Sequence, residues 1–278
     1  MTTEPTVTLH GAGLTYGRRA LWQDLEITVS PGEFIAVLGP NGSGKTSLVK
    51  VLLGLTELSS GSVRVCGAPP QRGSNVIGYI PQQKAFDCDL PIRGVDLVRL
   101  GLDGHRWGIG LPNRARKRRV EAAIASVGAT AYAHNPIGRL SGGEQQRLRV
   151  AQALLGDPRL LLCDEPLLSL DLKRQREVAR LIDTQRRATG VSVIFVTHEV
   201  NPILPMVDRI LYLVGNRWAM GTPDEILTSA RLSDLYQTDV EVLRVRGQIV
   251  IVGAPERPHA EVGSAEYHHE SNDEVLMS

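Results

Sequence analysis

The chain has 278 residues, of which 42% are hydrophobic and 22% are charged, a balance that is typical of folded globular proteins and excludes wholesale disorder. Its 31 lysines and arginines are matched by 30 aspartates and glutamates, so the net charge of +1 indicates no nucleic-acid or membrane-surface partner. No apolar run approaches the ~20 residues of a membrane-spanning helix, and the N-terminal residues do not resemble a secretory signal. Three widely spaced cysteines, Cys66, Cys88 and Cys163, predict no disulfide framework and fit a reducing cytoplasm.

The first third of the sequence predicts strands joined by tight turns. Runs rich in β-branched and apolar residues predict strands over 25–30 and 33–38, joined by a Ser-Pro-Gly turn, and further strands over 62–66 and 76–80. A helical pattern over 45–53 follows the second of these strands.

The middle of the sequence alternates between helical and strand patterns. Helices are predicted within 91–135 and over 143–155 and 172–188, and fully apolar strands over 159–163 and 192–197. This alternation predicts a mainly parallel sheet with helices packed on it.

The end of the sequence changes character after Gly221. A short helical pattern is followed by two strand-like runs, 241–246 and 248–252, which predict a hairpin. The polar segment 253–278, which contains prolines and a His-Glu cluster, predicts a disordered tail.

A glycine-rich loop lies between a predicted strand and a predicted helix. Residues 39–46 fit the pattern G-x-x-x-x-G-K-[ST], in which the backbone N–H groups converge on a polyphosphate and the helix adds its positive end. We expect Lys45 to pair with the β- and γ-phosphates and Thr46 to offer its hydroxyl to Mg²⁺. The predicted nucleotide-binding residues of this loop are Gly39, Pro40, Asn41, Gly42, Ser43, Gly44, Lys45, Thr46 and Ser47.

Two carboxylates follow a strand that has no polar residue before them. Residues 160–163 are typical of a strand buried on both faces, and Asp164 and Glu165 emerge at its carboxyl end, where ligands bind in open α/β sheets. We expect Asp164 to hold Mg²⁺ and Glu165 to polarise an attacking water. Such pairs are common at strand ends, so this prediction depends on the phosphate loop upstream.

A second candidate anion site opens the helix after Leu140. In Leu-Ser-Gly-Gly-Glu, Ser141, Gly142 and Gly143 would present a hydroxyl and backbone N–H groups at a helix N-terminus. One nucleotide does not need two such sites in one subunit. The stretch resembles the LSGGQ signature of the ATP-binding subunits of ABC transporters, with Glu144 in place of the usual glutamine.

The resemblance to this family assigns roles to four further residues in the expected order. Tyr16 resembles the aromatic residue that stacks on adenine, although it could also be an ordinary tyrosine of an edge strand. Gln82 resembles the Q-loop glutamine that reaches Mg²⁺ and the attacking water, and Asp171 the D-loop aspartate. His198 resembles the switch histidine that contacts the γ-phosphate; without the other motifs it would be assigned a structural role.

The resemblance covers residues 6–252 and implies a fold and a set of partners. The implied fold is an α/β P-loop NTPase with a RecA-like core, an antiparallel β-subdomain and an inserted α-helical signature subdomain over about 84–155. ATP, held with Mg²⁺, would lie between the phosphate loop of one subunit and the signature of a second copy. The dimer would act on a separate membrane permease, and only indirectly on a substrate-binding protein, from the cytoplasmic face of the membrane.

Several short stretches resemble one group within the family. Phe86-Asp87, Leu90-Pro91, Gly138 and the ending around 211–225 resemble ATPases of zinc, manganese and iron-chelate importers, and the predicted terminal hairpin resembles the zinc and manganese group. The alternatives are another importer cargo, such as an iron chelate, a nucleic-acid-handling ATPase or a regulatory binder that does not hydrolyse ATP. The basic run 114–119 would suit nucleic acid, but a solvated helix face explains it more simply.

Overall fold

The computed structural model describes residues 4–82, 90–103 and 113–253. The strands, in chain order, are β1 (Val7–Tyr16), β2 (Arg19–Val29), β3 (Phe34–Leu38), β4 (Ser60–Val65), β5 (Ile77–Ile80), β6 (Leu160–Asp164), β7 (Ser192–Val196), β8 (Arg209–Val214), β9 (Arg217–Gly221), β10 (Glu241–Val245) and β11 (Gln248–Val252). The α-helices are α1 (Lys45–Leu52), α2 (Gly94–Asp103), α3 (Arg114–Ser126), α4 (Gly142–Leu154), α5 (Leu172–Thr189), α6 (Pro223–Ile226) and α7 (Ser229–Tyr236).

A six-stranded sheet in the order β5-β6-β7-β3-β8-β9 forms the centre of the fold. The first five strands are parallel, and β9 pairs antiparallel with β8. Every residue of β3, β6 and β7 is buried, as expected for continuous apolar runs that are covered on both faces. The mainly parallel sheet predicted from the alternating pattern is confirmed.

The central sheet separates two hydrophobic cores. Successive side chains of a strand point to opposite faces, so Ile35 and Val37 of β3 join the core shared with α1, β1 and β2. Phe34 and Ala36 join the larger core, which contains residues of α2 to α5. This arrangement fixes the carboxyl ends of β3, β6 and β7 between two packed layers.

A three-stranded antiparallel sheet, in the order β2-β1-β4, packs beside α1 and confirms the predicted antiparallel subdomain. The sequence pattern did not predict β1 or the first half of β2, because the β1–β2 register shifts between Leu9 and Ala12 and between Ala12 and Leu14, which interrupts the alternation. The pattern also left β8, β9 and α7 unassigned.

Helices α2, α3 and α4 lie between β5 and β6 in the chain and share the larger core. The basic run occupies the first turns of α3 and is mostly exposed, and two of its members form ion pairs: Lys117 with Glu121, and Arg119 with Asp157. This placement supports the interpretation of a solvated helix face. The expected subdomain limits, 84–155, remain a prediction, since residues 83–89 and 104–112 lie outside the described residues.

The predicted terminal hairpin is present as β10 paired with β11. It is attached to the loop after β7 by Asn201, whose side-chain amide donates to the carbonyl oxygen of Ile249 at 2.9 Å and accepts from its N–H at 2.8 Å. Phe86-Asp87 and residues 254–278 of the tail predicted over 253–278 lie outside the described residues. None of the helices in the described ranges combines the length and the apolar character needed to cross a bilayer.

Candidate active site

The glycine-rich loop connects β3 to α1, as predicted. Gly39, Gly42 and Gly44 all have positive φ, and a Cβ atom on Gly39 would lie 2.0 Å from the carbonyl oxygen of Leu213, so only glycine fits there. The ammonium group of Lys45 donates to the carbonyl oxygens of Gly39 at 2.8 Å and Pro40 at 2.9 Å. The loop is therefore a tight turn whose backbone carbonyls bind the ammonium group of Lys45.

The environment of Lys45 favours an anionic ligand. Its side chain is buried, and this burial lowers the pKa of the ammonium group, an effect that the carboxylates of Glu165 and Asp164 partly offset. The hydroxyl of Ser43, in the same loop, is buried and has no hydrogen-bond partner in the part of the chain that is described. A polyphosphate would supply both a counter-charge for Lys45 and an acceptor for this hydroxyl.

Asp164 is buried at the carboxyl end of β6, beside the start of α1. Its Oδ1 accepts a long hydrogen bond, 3.4 Å, from the hydroxyl of Thr46. Burial, and then the neighbouring carboxylate of Glu165, raise the pKa of Asp164 above its ordinary value. Two hard oxygen atoms this close suit Mg²⁺, which uses one or two protein ligands together with phosphate oxygens and waters. No group of three or more His, Cys, Asp and Glu side chains that could hold a metal ion occurs in the ranges described.

Glu165 contacts two other predicted site residues, Gln82 and His198. Its backbone has positive φ, +49°, and its N–H donates to the carbonyl oxygen of Val196, at the end of the adjacent strand β7. Its two carboxylate oxygens have different partners: Oε2 accepts from Nε2 of Gln82 at 3.0 Å, and Oε1 contacts Nε2 of His198. Because β5, β6 and β7 are neighbouring parallel strands, the loops at their carboxyl ends bring these side chains together.

An open pocket of about 300 Å³ lies over the loop and Glu165. Tyr16, which is half exposed at the end of β1, lines the pocket together with Asn41, Thr46 and Ser47. Tyr16 therefore lines the same pocket as the phosphate loop, and its stacking on a base remains a prediction.

Two pocket residues, Arg19 and Leu21, were not predicted from the sequence. Both lie on β2, and no motif marks them. They come beside the phosphate loop only through tertiary packing, in which Arg19 contacts Gly42 and Leu21 approaches Gly44, so no signal in the sequence could have identified them.

The signature residues are not among those that line this pocket. Ser141 is the N-cap of α4 and forms a capping box with Glu144: its hydroxyl and its N–H both lie 2.8 Å from Oε2 of that carboxylate. Gly142 and Gly143 form the first turn of α4. Asp171 caps α5 by accepting from the N–H of Arg174 at 2.9 Å. The predicted helix start at the signature is confirmed, but none of these residues lines the pocket of its own chain.

Comparison with known proteins places this geometry in a family. The profile of the ABC transporter family matches residues 22–168, which include the phosphate loop, the signature and both strand-end carboxylates. The chain is 34% identical to the zinc import ATP-binding protein ZnuC of Halorhodospira halophila over 84% of each chain. It is 33% identical to the manganese transport system ATP-binding protein MntB of Bacillus subtilis over 83% of this chain and 92% of that one.

The fold is also similar to solved structures. One neighbour, a chain described as part of a metal-chelate type ABC transporter in an inward-facing conformation, superposes with a TM-score of 0.75 and 25% identity, covering 89% of this chain and 96% of that chain. The expected P-loop fold is confirmed by this match and by the family profile. The chain belongs to the ABC transporter family, as an ATP-binding subunit with ATPase activity.

Proposed function

We propose that this chain hydrolyses ATP to drive the import of a divalent metal ion, zinc or manganese, through a separate membrane permease. The observation that carries the proposal is the identity of 33–34%, over more than four-fifths of the chain, with relatives named for zinc and for manganese import. The residues described above support the ATPase activity rather than the choice of cargo, which rests on the relatives alone.

The arrangement around Glu165 supports water activation by its carboxylate. Gln82 and His198 hold its two oxygens, which fixes the direction in which the carboxylate can accept a proton from water. Lys45 and the N–H groups of the loop bind the phosphates and stabilise the charge that develops when water attacks the γ-phosphate in line. Mg²⁺, held by Thr46 and Asp164 and reached by Gln82, would neutralise phosphate charge.

The separation between the signature and the pocket supports a two-chain site. Ser141, Gly142 and Gly143 form an anion-binding helix N-terminus that does not line the pocket of the same chain. In a two-fold dimer, the signature of each chain would complete the pocket of the other. Asp171, beside the signature at the start of α5, would then lie near the same interface.

The partners follow from this role. We propose that the dimer lies on the cytoplasmic face of the membrane, contacts the permease directly and contacts a substrate-binding protein only through it. The balanced charge of the chain and the exposed, partly ion-paired basic turns of α3 favour a protein partner over nucleic acid.

The cargo can be tested in the organism that encodes the chain. We expect replacement of Lys45 by alanine to abolish uptake of one metal, measured as the zinc and manganese content of cells grown with a chelator. Arg72→Ala, which removes an exposed cation in the loop between β4 and β5, is the control and should have no effect. Unchanged zinc and manganese contents together with lost uptake of an iron chelate would contradict the proposal in favour of the alternative cargo.

A further inference from the structure

Arg19 is a second cation on the nucleotide pocket. It lies on β2, three residues after Tyr16, and its Nη2 donates to the carbonyl oxygen of Gly42 at 2.8 Å. This contact joins two segments that are 23 residues apart and fixes the guanidinium group beside the phosphate loop. Both terminal nitrogens lie close to Gly42, since a Cβ atom there would be 3.3 Å from Nη2 and 4.0 Å from Nη1.

Arg19 also lines two adjoining clefts. One is the pocket that contains Tyr16, Lys45 and Glu165, and the other is an adjoining cleft of about 300 Å³ that Gly42 and Asn216 also line. Among the residues that the structure describes, the charged ones on the first pocket are Arg19, Lys45 and Glu165. The ammonium group of Lys45 is held by two carbonyl oxygens, whereas Arg19 presents a fork of five N–H donors, of which the Gly42 carbonyl accepts from one nitrogen.

We propose that Arg19, anchored by the carbonyl oxygen of Gly42, binds the phosphate chain of the nucleotide. It would be a second cationic ligand, contributed by β2, in addition to Lys45 of the phosphate loop. An arginine held in place on an open, partly exposed pocket loses little side-chain entropy on binding, and its planar fork matches two oxygens of a phosphate. The proposal deepens the ATP-binding role of this site and is independent of the metal that is transported.

The competing explanation is structural: the sole role of Arg19 would be to support the phosphate loop through its hydrogen bond to the Gly42 carbonyl. Arg19→Gln separates the two explanations, because the glutamine amide can still donate a hydrogen bond but carries no charge. Arg18→Gln is the matched control, since Arg18 is also exposed, precedes Arg19 and does not line the pocket. Arg19→Lys keeps the charge and loses the fork.

The experiment measures dissociation constants of the full chain for ATP, ADP and adenosine by competition with a fluorescent ATP analogue, at low and high salt. We expect Arg19→Gln to weaken ATP and ADP binding on the order of tenfold, the effect of losing one charge-assisted hydrogen bond. Adenosine binding should be unchanged, the salt dependence of ATP binding should decrease, and Arg19→Lys should fall between the wild type and Arg19→Gln.

Three results would overturn the assignment: unchanged ATP binding in Arg19→Gln, an equal loss in Arg18→Gln, or an equal loss of affinity for adenosine. The last would place the contact on the sugar or base. Matching circular dichroism spectra and thermal unfolding midpoints for all variants show that a loss of binding is not a loss of folding. Because metal uptake is not measured, failure of this proposal leaves the proposed transport function intact.

Discussion

The imidazole of His198 contacts the carboxylate of Glu165 across two neighbouring strands of the central sheet. The side chain of Gln82, which follows the next strand, donates to the other oxygen of the same carboxylate. Both oxygens of Glu165 are therefore oriented by residues more than 30 positions away in sequence on either side. Because the three side chains act on one carboxylate, we expect their substitutions to be strongly non-additive in turnover.

Replacing Glu165 by glutamine should preserve ATP binding and remove most of the turnover. The amide can still accept from Gln82, but it cannot take a proton from water, and loss of one positioned general base commonly costs ~10²–10⁴-fold in rate. Steady-state phosphate release and ATP affinity measure the two effects separately. Glu199→Gln, which changes the exposed carboxylate next to His198, should retain full activity. Near-normal hydrolysis in Glu165→Gln would show that the base is another group.

Changing Tyr16 to alanine should weaken ATP binding by ~1–3 kcal/mol, the usual value for stacking of a base on an aromatic ring. Turnover at saturating ATP should change little, because stacking on the base does not involve the phosphates at which Glu165 acts. Tyr16→Trp keeps a stacking surface and should restore affinity. Wild-type affinity for ATP in the alanine variant would show that Tyr16 ends β1 and does not stack on the base.

The sequence allowed prediction of those parts of the fold in which local pattern and burial agree. The apolar runs of β3, β6 and β7 predicted buried parallel strands, and the glycines of the phosphate loop predicted the turn between β3 and α1. Strand β1 was not predicted, because its register shifts remove the alternation that identifies a half-buried strand.

The same distinction applies to the site. Glu165 and His198 follow strands whose parallel pairing could be inferred, so their convergence was predictable once the motifs were identified. The contact of Arg19 with Gly42 depends on how the β1–β2 hairpin packs against the phosphate loop. That packing is a tertiary property, and no spacing in the sequence encodes it.

Replacing Asp164 by asparagine should stabilise the nucleotide-free protein at neutral pH. The pKa of Asp164 is raised by burial and by Glu165, so the folded state binds a proton there more tightly than the unfolded chain does. Between the unfolded and the folded pKa, the free energy of unfolding therefore falls as pH rises, and this loss persists at all higher pH. The asparagine variant does not titrate and avoids it.

Thermal unfolding at a series of pH values measures this effect. A gain of about 1 kcal/mol would raise the Tm of a domain of this size by ~2–4 °C, and the gain should shrink as pH falls through the raised pKa. The variant should lose ATP hydrolysis at the same time, as expected where a strained functional site costs stability. Asp239→Asn changes an exposed carboxylate and should not move the Tm. A lower Tm for Asp164→Asn at neutral pH would contradict the prediction.

The two-chain site can be tested by mixing two inactive variants. Lys45→Ala removes the phosphate-binding cation, and Ser141→Arg places a bulky charge at the N-cap of α4. If the signature acts in trans, a mixed dimer has one site with both changes and one site with neither. Random mixing at equal concentrations then leaves about one quarter of all sites intact. ATP hydrolysis should reappear on mixing, although each variant alone is inactive.

A mixture of the wild type with the Lys45→Ala, Ser141→Arg double variant is the control. In trans, its mixed dimers contain no intact site, and the wild-type dimers again hold about one quarter of all sites, now in pairs. If each chain builds its own site, the control retains about one half of the sites, and mixing the single variants restores none. Equal activity near one quarter in both mixtures therefore indicates independent sites formed between chains. Activity near one quarter in the control alone indicates sites that are formed between chains and must hydrolyse ATP together. Activity of about one half in the control, with none in the mixture of single variants, would contradict the dimeric site.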